Sequence, residues 1–179
     1  MRRSLWFILA PPLASSVVLL ASSEASAGVT VHLEQDFAVI TNGGSDIGFG
    51  LSGRVGYRVD LGPLWLAPEL GGGYLSFGDI GRYSLHPSRM YGGGRVGLGG
   101  FLQPQLYAHA GYGWMGGLGD VSFRGAMFEV GVALDVQLLP IFGIGTHLGY
   151  ASNDNINGGD VAQEAFNWVN FGVHAGLTF

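Results

Sequence analysis

Histidine can bind metal ions and can act as a base in catalysis, and the chain contains five histidines. His32, His109, His147 and His174 all fall on the polar faces of alternating segments. Neutral imidazole is a common ligand of zinc and copper ions, so four imidazoles on one surface could form a metal site. However, the H-x-H and H-E-x-x-H spacings are absent, the four lie on different segments, and there is no cysteine. We therefore expect polar packing, with no metal site and no cofactor.

A second possible chemistry is nucleophilic catalysis by His86 and Ser88. A serine becomes nucleophilic when a neighbouring base takes its proton and a third group orients that base. His86 could be the base, but the sequence identifies no third group, and Pro87 separates the two residues. We therefore predict no catalytic residues and no enzymatic activity.

Charged side chains on the polar faces offer a third possibility. If Leu61-Gly62 forms a two-residue turn, Arg54 faces Glu69 and Arg58 faces Trp65 on the next segment. This arrangement predicts a cross-strand ion pair and a guanidinium stacked on an indole. Pairing is expected because an unpaired charge in a non-aqueous interior is costly. The predicted charge network consists of Glu34, Asp36, Arg54, Arg58, Glu69, Arg95, Glu129 and Asp135. Its structural interpretation is an ion-paired plug, and its functional alternative is a narrow conduit.

The segments that position these residues alternate strongly enough to predict eight β-strands. The pattern is clearest over 47–61, 128–138 and 169–179, where apolar residues occupy every second position. The remaining strands are expected near 29–41, 64–77, 89–102, 105–115 and 141–151. Three short connections contain proline, at Leu61-Gly62-Pro63, Gln103-Pro104 and Leu139-Pro140. Four longer polar connections cover 42–46, 78–88, 116–124 and 152–163.

Short turns on one side and longer loops on the other are typical of bacterial outer-membrane barrels. Only 12% of the residues are charged, well below the value of about 25% in soluble domains. The apolar faces offer about forty side chains, more than an eight-stranded interior can hold. We therefore predict an all-β, antiparallel, up-and-down transmembrane barrel with its apolar face outward and a polar, glycine-rich lumen. Aromatic girdles at the two membrane interfaces are expected from Phe49, Tyr57, Tyr74, Tyr112, Trp114, Phe128, Phe142 and Tyr150.

One residue conflicts with this pattern. Pro68 falls on the lipid side of the third segment and has no amide hydrogen for the strand ladder. Its presence predicts a bulge or a shifted strand boundary.

Residues 1–27 have the features of a Sec signal peptide. Arg2 and Arg3 precede an apolar run over 5–21, and Ala25-Ser26-Ala27 ends in a small-residue cleavage site. We therefore expect a mature barrel domain over 28–179. The formal net charge of −5 argues against a nucleic-acid partner.

With this signal, strand rhythm and loop asymmetry, the chain resembles the eight-stranded family that includes the OmpA transmembrane domain and OmpX- and OmpW-like proteins. The most specific element is 170–179, an alternating strand that ends in an aromatic residue. It is similar to the C-terminal signature that the outer-membrane insertion machinery recognises in this family. Its outward residues are Phe171, Val173, Ala175, Leu177 and Phe179. The resemblance implies Sec export to a Gram-negative outer membrane and contact with the insertion machinery.

The resemblance supplies no ligand motif. His86-Pro-Ser88 is similar to the H-x-S pair of lipid A deacylase barrels, but Arg89 stands where those proteins carry asparagine. We expect a monomeric, non-enzymatic barrel of structural or interaction type, surrounded by outer-membrane lipids that include lipopolysaccharide. Two alternatives stay open: a narrow porin-like channel or carrier for small or hydrophobic solutes and, more distantly, a lipid A-modifying enzyme.

Overall fold

The computed structural model describes residues 26–41, 47–77, 79–80, 83–84, 86–118, 121–154 and 166–179. These residues form a closed antiparallel barrel with the ring order β1-β10-β9-β8-β7-β6-β3-β2. The barrel strands are β1 (Ala27–Ile40), β2 (Ile47–Leu61), β3 (Leu64–Ser76), β6 (His86–Leu98), β7 (Leu102–Leu118), β8 (Val121–Leu139), β9 (Phe142–Asn153) and β10 (Phe166–Thr178). A small hairpin, β4 (Asp79–Ile80) and β5 (Tyr83–Ser84), lies between β3 and β6. The predicted fold class is confirmed. No helix among the described residues is long and apolar enough to cross a membrane.

The outer face of the barrel is apolar, as the composition predicted. Leu70 and Leu33 are 71% and 66% exposed, although residues of this type are usually buried in soluble proteins. Most of the expected girdle aromatics lie exposed on this face, namely Phe49, Tyr57, Tyr74, Tyr112, Trp114, Phe128 and Tyr150, while Phe142 is half-buried. The outward face of β10 carries Phe171, Val173, Ala175 and Leu177, and the exposed Phe179 directly follows the strand.

Inside the barrel, glycines make room for rings on the neighbouring strand. Tyr91 pairs with Gly71, and Trp65 pairs with Gly97. A Cβ atom added at these glycines would lie 2.6 Å and 2.5 Å from the facing ring. The same ring-over-glycine pairing recurs for Tyr107 and Gly131, His174 and Gly145, His147 and Gly172, and His32 and Gly176. The aromatic and histidine rings therefore fill the space that the inward glycines leave inside the barrel.

The turn between β2 and β3 differs from the predicted one. Leu61 pairs with Leu64, so the turn residues are Gly62 and Pro63 rather than Leu61 and Gly62. Gly62 has a φ of 72°, which glycine adopts without a steric penalty. This change shifts the register by two residues, and Glu69 lies opposite Gly56 instead of opposite Arg54.

The prolines of the sequence also occupy different places from those expected. Pro104 lies within β7, paired with Leu134, so the predicted turn at Gln103-Pro104 is wrong. That turn lies at 99–101, where Gly100 has a φ of 128°. Pro68 lies within β3, whose pairing with β2 and with β6 keeps the same register before and after it. The predicted bulge or boundary shift is therefore wrong: pairing with β2 skips Pro68 and Ala67 and resumes in the same register, so the missing amide hydrogen leaves a local gap in the ladder.

Several strands extend further on the loop side than the sequence indicated. Pairing of β7 with β8 continues to Leu118 and Val121, so the predicted loop 116–124 is largely strand. The predicted loop 78–88 contains the β4–β5 hairpin and the beginning of β6. Strand pairing can continue beyond the bilayer, where water replaces lipid and no apolar alternation is required. Residues 1–25 of the predicted signal peptide 1–27, the predicted loop 42–46 and residues 155–165 lie outside the described residues.

The ring-over-glycine packing generates the first prediction. In Gly71→Ala the new methyl group would contact the Tyr91 ring, which cannot retreat because it stacks on His109 at 4.5 Å. We expect a loss of about 1–3 kcal/mol in the free energy of unfolding, as for other overpacked cores. Urea titration in lipid vesicles, followed by tryptophan fluorescence, measures this loss.

Gly53→Ala is the matched control, because its new Cβ would meet nothing closer than the His32 carbonyl oxygen at 3.7 Å. It should change stability by less than about 0.5 kcal/mol. Equal effects of the two substitutions would contradict the packing role of Gly71.

Candidate functional site: the closed lumen

The centre of the lumen holds a buried ion-pair network that joins strands from different walls of the barrel. Its cations are Arg54 on β2 and Arg89 and Arg95 on β6. Its anions come from three further strands: Glu34 and Asp36 from β1, Glu69 from β3 and Glu129 from β8. We call these seven residues the central network. Every member is at most 6% exposed, so each charge depends on the others for stabilisation.

Arg89 joins β6 to two other strands of the barrel. Its Nη1 lies 2.7 Å from Glu129 Oε2, and its Nη2 lies 3.1 Å from Asp36 Oδ2. Neither β1 nor β8 is a neighbour of β6 in the ring, so this guanidinium crosses the lumen. The sequence analysis did not assign Arg89 to the lumen, because it stood at the expected edge of a loop. Its parity with Arg95 was the signal that could have placed it.

Two arginines and two carboxylates form the other half of the central network. Arg54 contacts Glu34, and its Nε lies 3.1 Å from Glu69 Oε2. Arg95 places its Nε 2.9 Å from Glu69 Oε1 and its Nη2 3.5 Å from Glu34 Oε1. The contact between Arg54 and Glu69 is diagonal, since Arg54 pairs directly with Gly71. The side chains thus meet although the register differs from the predicted one.

The inward histidines extend the polar contacts. His109 Nε2 lies 2.5 Å from Glu69 Oε1, and His147 Nε2 lies 2.8 Å from Asp36 Oδ1. His174 Nε2 lies 2.7 Å from Asp135 Oδ1, which brings the predicted lumen residue Asp135 into contact with the histidines rather than with an arginine. The ring centroid of His174 lies 5.8 Å from the ring centroid of His147 and 5.8 Å from that of His32.

The turn side of the lumen opens through a polar mouth. Arg58 Nε lies 2.8 Å from Asp60 Oδ1, and Arg58 Nη1 donates to Gln103 Oε1 at 2.9 Å. The Cζ atom of the same guanidinium lies 4.6 Å from the Trp65 ring centroid. Between this layer and the central network is a cavity of about 30 Å³, enough for a few water molecules. Below it lies an open vestibule of about 430 Å³, whose lining includes Arg58, Asp60, Gln137 and Thr178.

The loop side of the lumen is closed by apolar side chains. Trp168 and Met127 are 1% and 0% exposed, and they pack with Ala38, Ile40, Leu75, Phe77, Tyr91 and Ala151. We call this cluster the apolar cap. The sequence analysis missed it because these residues lie on faces that were expected to be polar throughout. The lumen is therefore closed by an apolar layer above a charged one.

His86 and Ser88 lie on the outer face of β6. The Tyr74 ring stacks on His86 with a centroid distance of 5.8 Å. Ser88 pairs with Tyr74 on one side and Trp114 on the other, and His86 pairs with Gly116. These facing residues include no acid that could orient an imidazole.

The central network generates the second prediction. Arg89→Met keeps much of the side-chain volume but leaves Asp36 and Glu129 without their shared cation. We expect a loss of about 3–5 kcal/mol in the free energy of unfolding, because two buried charges lose compensation. Urea unfolding in vesicles is the measurement, and adding Glu129→Gln should recover part of the loss.

Arg58→Met is the control for this experiment. The Arg58–Asp60 pair is partly exposed, with side-chain exposures of 16% and 35%, and such pairs are worth about 0–1 kcal/mol. A loss at Arg89 no larger than that at Arg58 would contradict the structural role of the central network.

The sequence and the barrel were compared with those of known proteins. Neither a protein-family model nor a curated protein matches the sequence. Among solved structures, Neisserial surface protein A has a TM-score of 0.55 at 13% identity, over 86% of this chain and 97% of that chain. The attachment invasion locus protein Ail of Yersinia pestis has a TM-score of 0.50 at 13% identity, over 86% and 97%. The outer membrane enzyme PagL has a TM-score of 0.57 at 12% identity, over 81% and 97%. Identities this low establish the fold alone: the chain is a closed eight-stranded antiparallel β-barrel with the fold of these outer-membrane proteins.

Proposed function

We propose that this protein is a non-conducting, non-enzymatic outer-membrane barrel of structural or interaction type. The observation that carries the proposal is Arg89, whose guanidinium bridges Asp36 and Glu129 across the lumen. A solute would have to break these buried pairs to pass, and separating buried charges is costly. The apolar cap around Trp168 and Met127 adds a second barrier on the loop side.

The channel alternative has less support from the geometry. The vestibule is open on the turn side, where Arg58, Asp60 and Gln103 offer polar contacts to a small solute. Above the small cavity, however, the route meets the central network and then the apolar cap. A carrier or channel would therefore require both layers to rearrange.

The enzyme alternative rests on His86 and Ser88, which face the lipid as a lipid A-modifying site would require. PagL, one of the similar structures, is described as an enzyme. Nucleophilic catalysis needs a base oriented by a third group, and the residues facing this pair are Tyr74, Trp114 and Gly116. We therefore propose that the pair packs at the membrane interface without catalysis.

The proposed partners follow from the surfaces. The apolar outer face would contact outer-membrane lipids, including lipopolysaccharide, and the outward face of β10 would engage the insertion machinery during assembly. We further propose Sec export with removal of residues 1–27, and a monomeric state.

The third prediction concerns conductance. Tag-free protein refolded into planar lipid bilayers should show no reproducible channels. Arg54→Ala and Arg89→Ala should each leave the apolar cap in place and should also be silent. Adding Trp168→Ala to Arg89→Ala removes parts of both layers and should produce measurable conductance.

The result against a closed barrel would be reproducible channels from the wild-type protein that Arg54→Ala widens or blocks. Mass spectrometry of lipid A from expressing cells tests the enzyme alternative in parallel. A mass shift that His86→Ala abolishes would replace the proposed function with lipid A modification.

The fourth prediction concerns processing. Strand β1 begins at Ala27, so cleavage after Ala27 would leave the strand almost complete. Sequencing of the protein recovered from outer membranes should give Gly28 as the first residue. An intact N-terminus in the membrane fraction would exclude the proposed signal peptide.

A further inference from the structure

The buried part of the lumen contains more acid than base. Within the described residues, its cations are Arg54, Arg89 and Arg95. Its anions are Glu34, Asp36, Glu69, Glu129 and the largely buried Asp135. Three positive charges against five negative ones leave two negative charges without a fixed counterpart. Because uncompensated charge in a low-dielectric interior is costly, a mobile cation is expected to supply the difference.

All four inward histidines have a buried Nδ1 without a hydrogen-bond partner, and two of them, His147 and His174, lie together and could bind such a cation. His147 and His174 each direct Nε2 at a carboxylate, Asp36 and Asp135 respectively. An ionised carboxylate can only accept a hydrogen bond, so in the neutral rings Nε2 carries the hydrogen and Nδ1 carries a lone pair. Both Nδ1 atoms are buried and have no hydrogen-bond partner, on residues that are 6% and 4% exposed.

A third donor lies beside these rings. A carboxylate oxygen of Glu34, a ring nitrogen of His147 and a ring nitrogen of His174 all lie within 4.8 Å of one another. We propose that Glu34, His147 and His174 together bind one divalent transition-metal ion, with zinc as the best-matched chemistry. Two histidines and one carboxylate are a known donor set for this ion, which leaves a fourth position for water.

The surroundings favour this ligand set. Asp36 and Asp135 accept from Nε2 of the two rings, the outer contact that commonly fixes a histidine whose other nitrogen binds a metal. Glu34 also contacts Arg54 and Arg95 through Oε1 and accepts from Ser52 at Oε2, but a carboxylate has about four acceptor positions, so one position is left for a metal. A small cavity on the turn side is lined by His32 and Asp135, which both contact His174.

Small side-chain rotations would complete the site. Zinc bound at about 2.0–2.1 Å in a tetrahedral site requires donor atoms about 3.3 Å apart. The three donors therefore have to approach by up to about 1.5 Å, which changes of side-chain torsion can supply without movement of the strands. A single ion of charge +2 would balance the two excess carboxylates.

The experiment uses tag-free, chelator-treated full-length barrel in detergent. Titration with zinc chloride in a calorimeter should give one bound ion per chain, and zinc should raise the temperature of the heat-modifiable gel shift. Cobalt(II) should give the intense visible bands of a four-coordinate, histidine-ligated ion. Glu34→Gln and His174→Gln should each weaken zinc binding by about tenfold or more, and Asp135→Asn by about tenfold.

His109→Gln is the matched control, because His109 also contacts a buried carboxylate, Glu69, but is not one of the three donors. It should bind zinc as the wild-type protein does. Heat-modifiable migration of each variant shows that it has folded, and the cobalt spectrum of the wild-type protein tests the site without any substitution.

Absence of zinc binding to the wild-type protein would overturn the proposal and would assign the two missing charges to protons. Undiminished binding by folded His174→Gln would overturn it equally. Neither result bears on conductance, so the failure of this site and the failure of the closed lumen are distinguishable.

Discussion

The constraint on which the structure depends is that charges inside a narrow barrel must be stabilised by one another. Lipid surrounds the outer face, and a closed ring of strands satisfies the backbone hydrogen bonds. The interior of eight strands is only just wide enough for side chains. Arg54, Arg89 and Arg95 therefore cannot keep a full hydration shell, and each contacts carboxylates on other strands. Because these pairs join β6 to β1 and β8, they hold opposite walls of the barrel as well as closing its lumen.

Glycine distribution follows from the same lack of space. Tyr91, Trp65 and Tyr107 are large rings in a narrow interior, and each lies over a glycine directly across the strand pair. The rings in turn support the charges: the Arg95 guanidinium lies 4.7 Å from the Tyr107 centroid, and Tyr91 stacks on His109. The glycines are thus part of the packing of the central network. Composition alone reveals many glycines, but which ring fills which gap depends on strand register.

Strand number, the outward apolar face and the polar lumen could be predicted from the sequence, because side-chain direction alternates with period two. Register could not, and the β2–β3 pair shows why. A shift of two residues leaves every side chain on the same face, so the hydrophobic alternation cannot distinguish the two registers. The turn position decides the register, and both Leu61-Gly62 and Gly62-Pro63 are plausible turn residues. The predicted turn at Pro104 was wrong because proline usually indicates a turn, whereas this proline is accommodated within β7.

The two ends of the lumen differ, and this difference limits where function can reside. The apolar cap excludes water from the loop side, so charges beneath it interact in a low-dielectric environment from that direction. The Arg58–Asp60 pair at the opposite end is partly exposed and contributes little to stability. Within the described residues, the vestibule and the small cavity on the turn side are where solvent comes nearest to the polar groups of the lumen. A ligand from the loop side would meet the apolar cap, whereas an ion from the turn side would meet the cavity lined by His32 and Asp135. The proposed interaction with a partner and the proposed luminal ion site would therefore use different ends of one barrel.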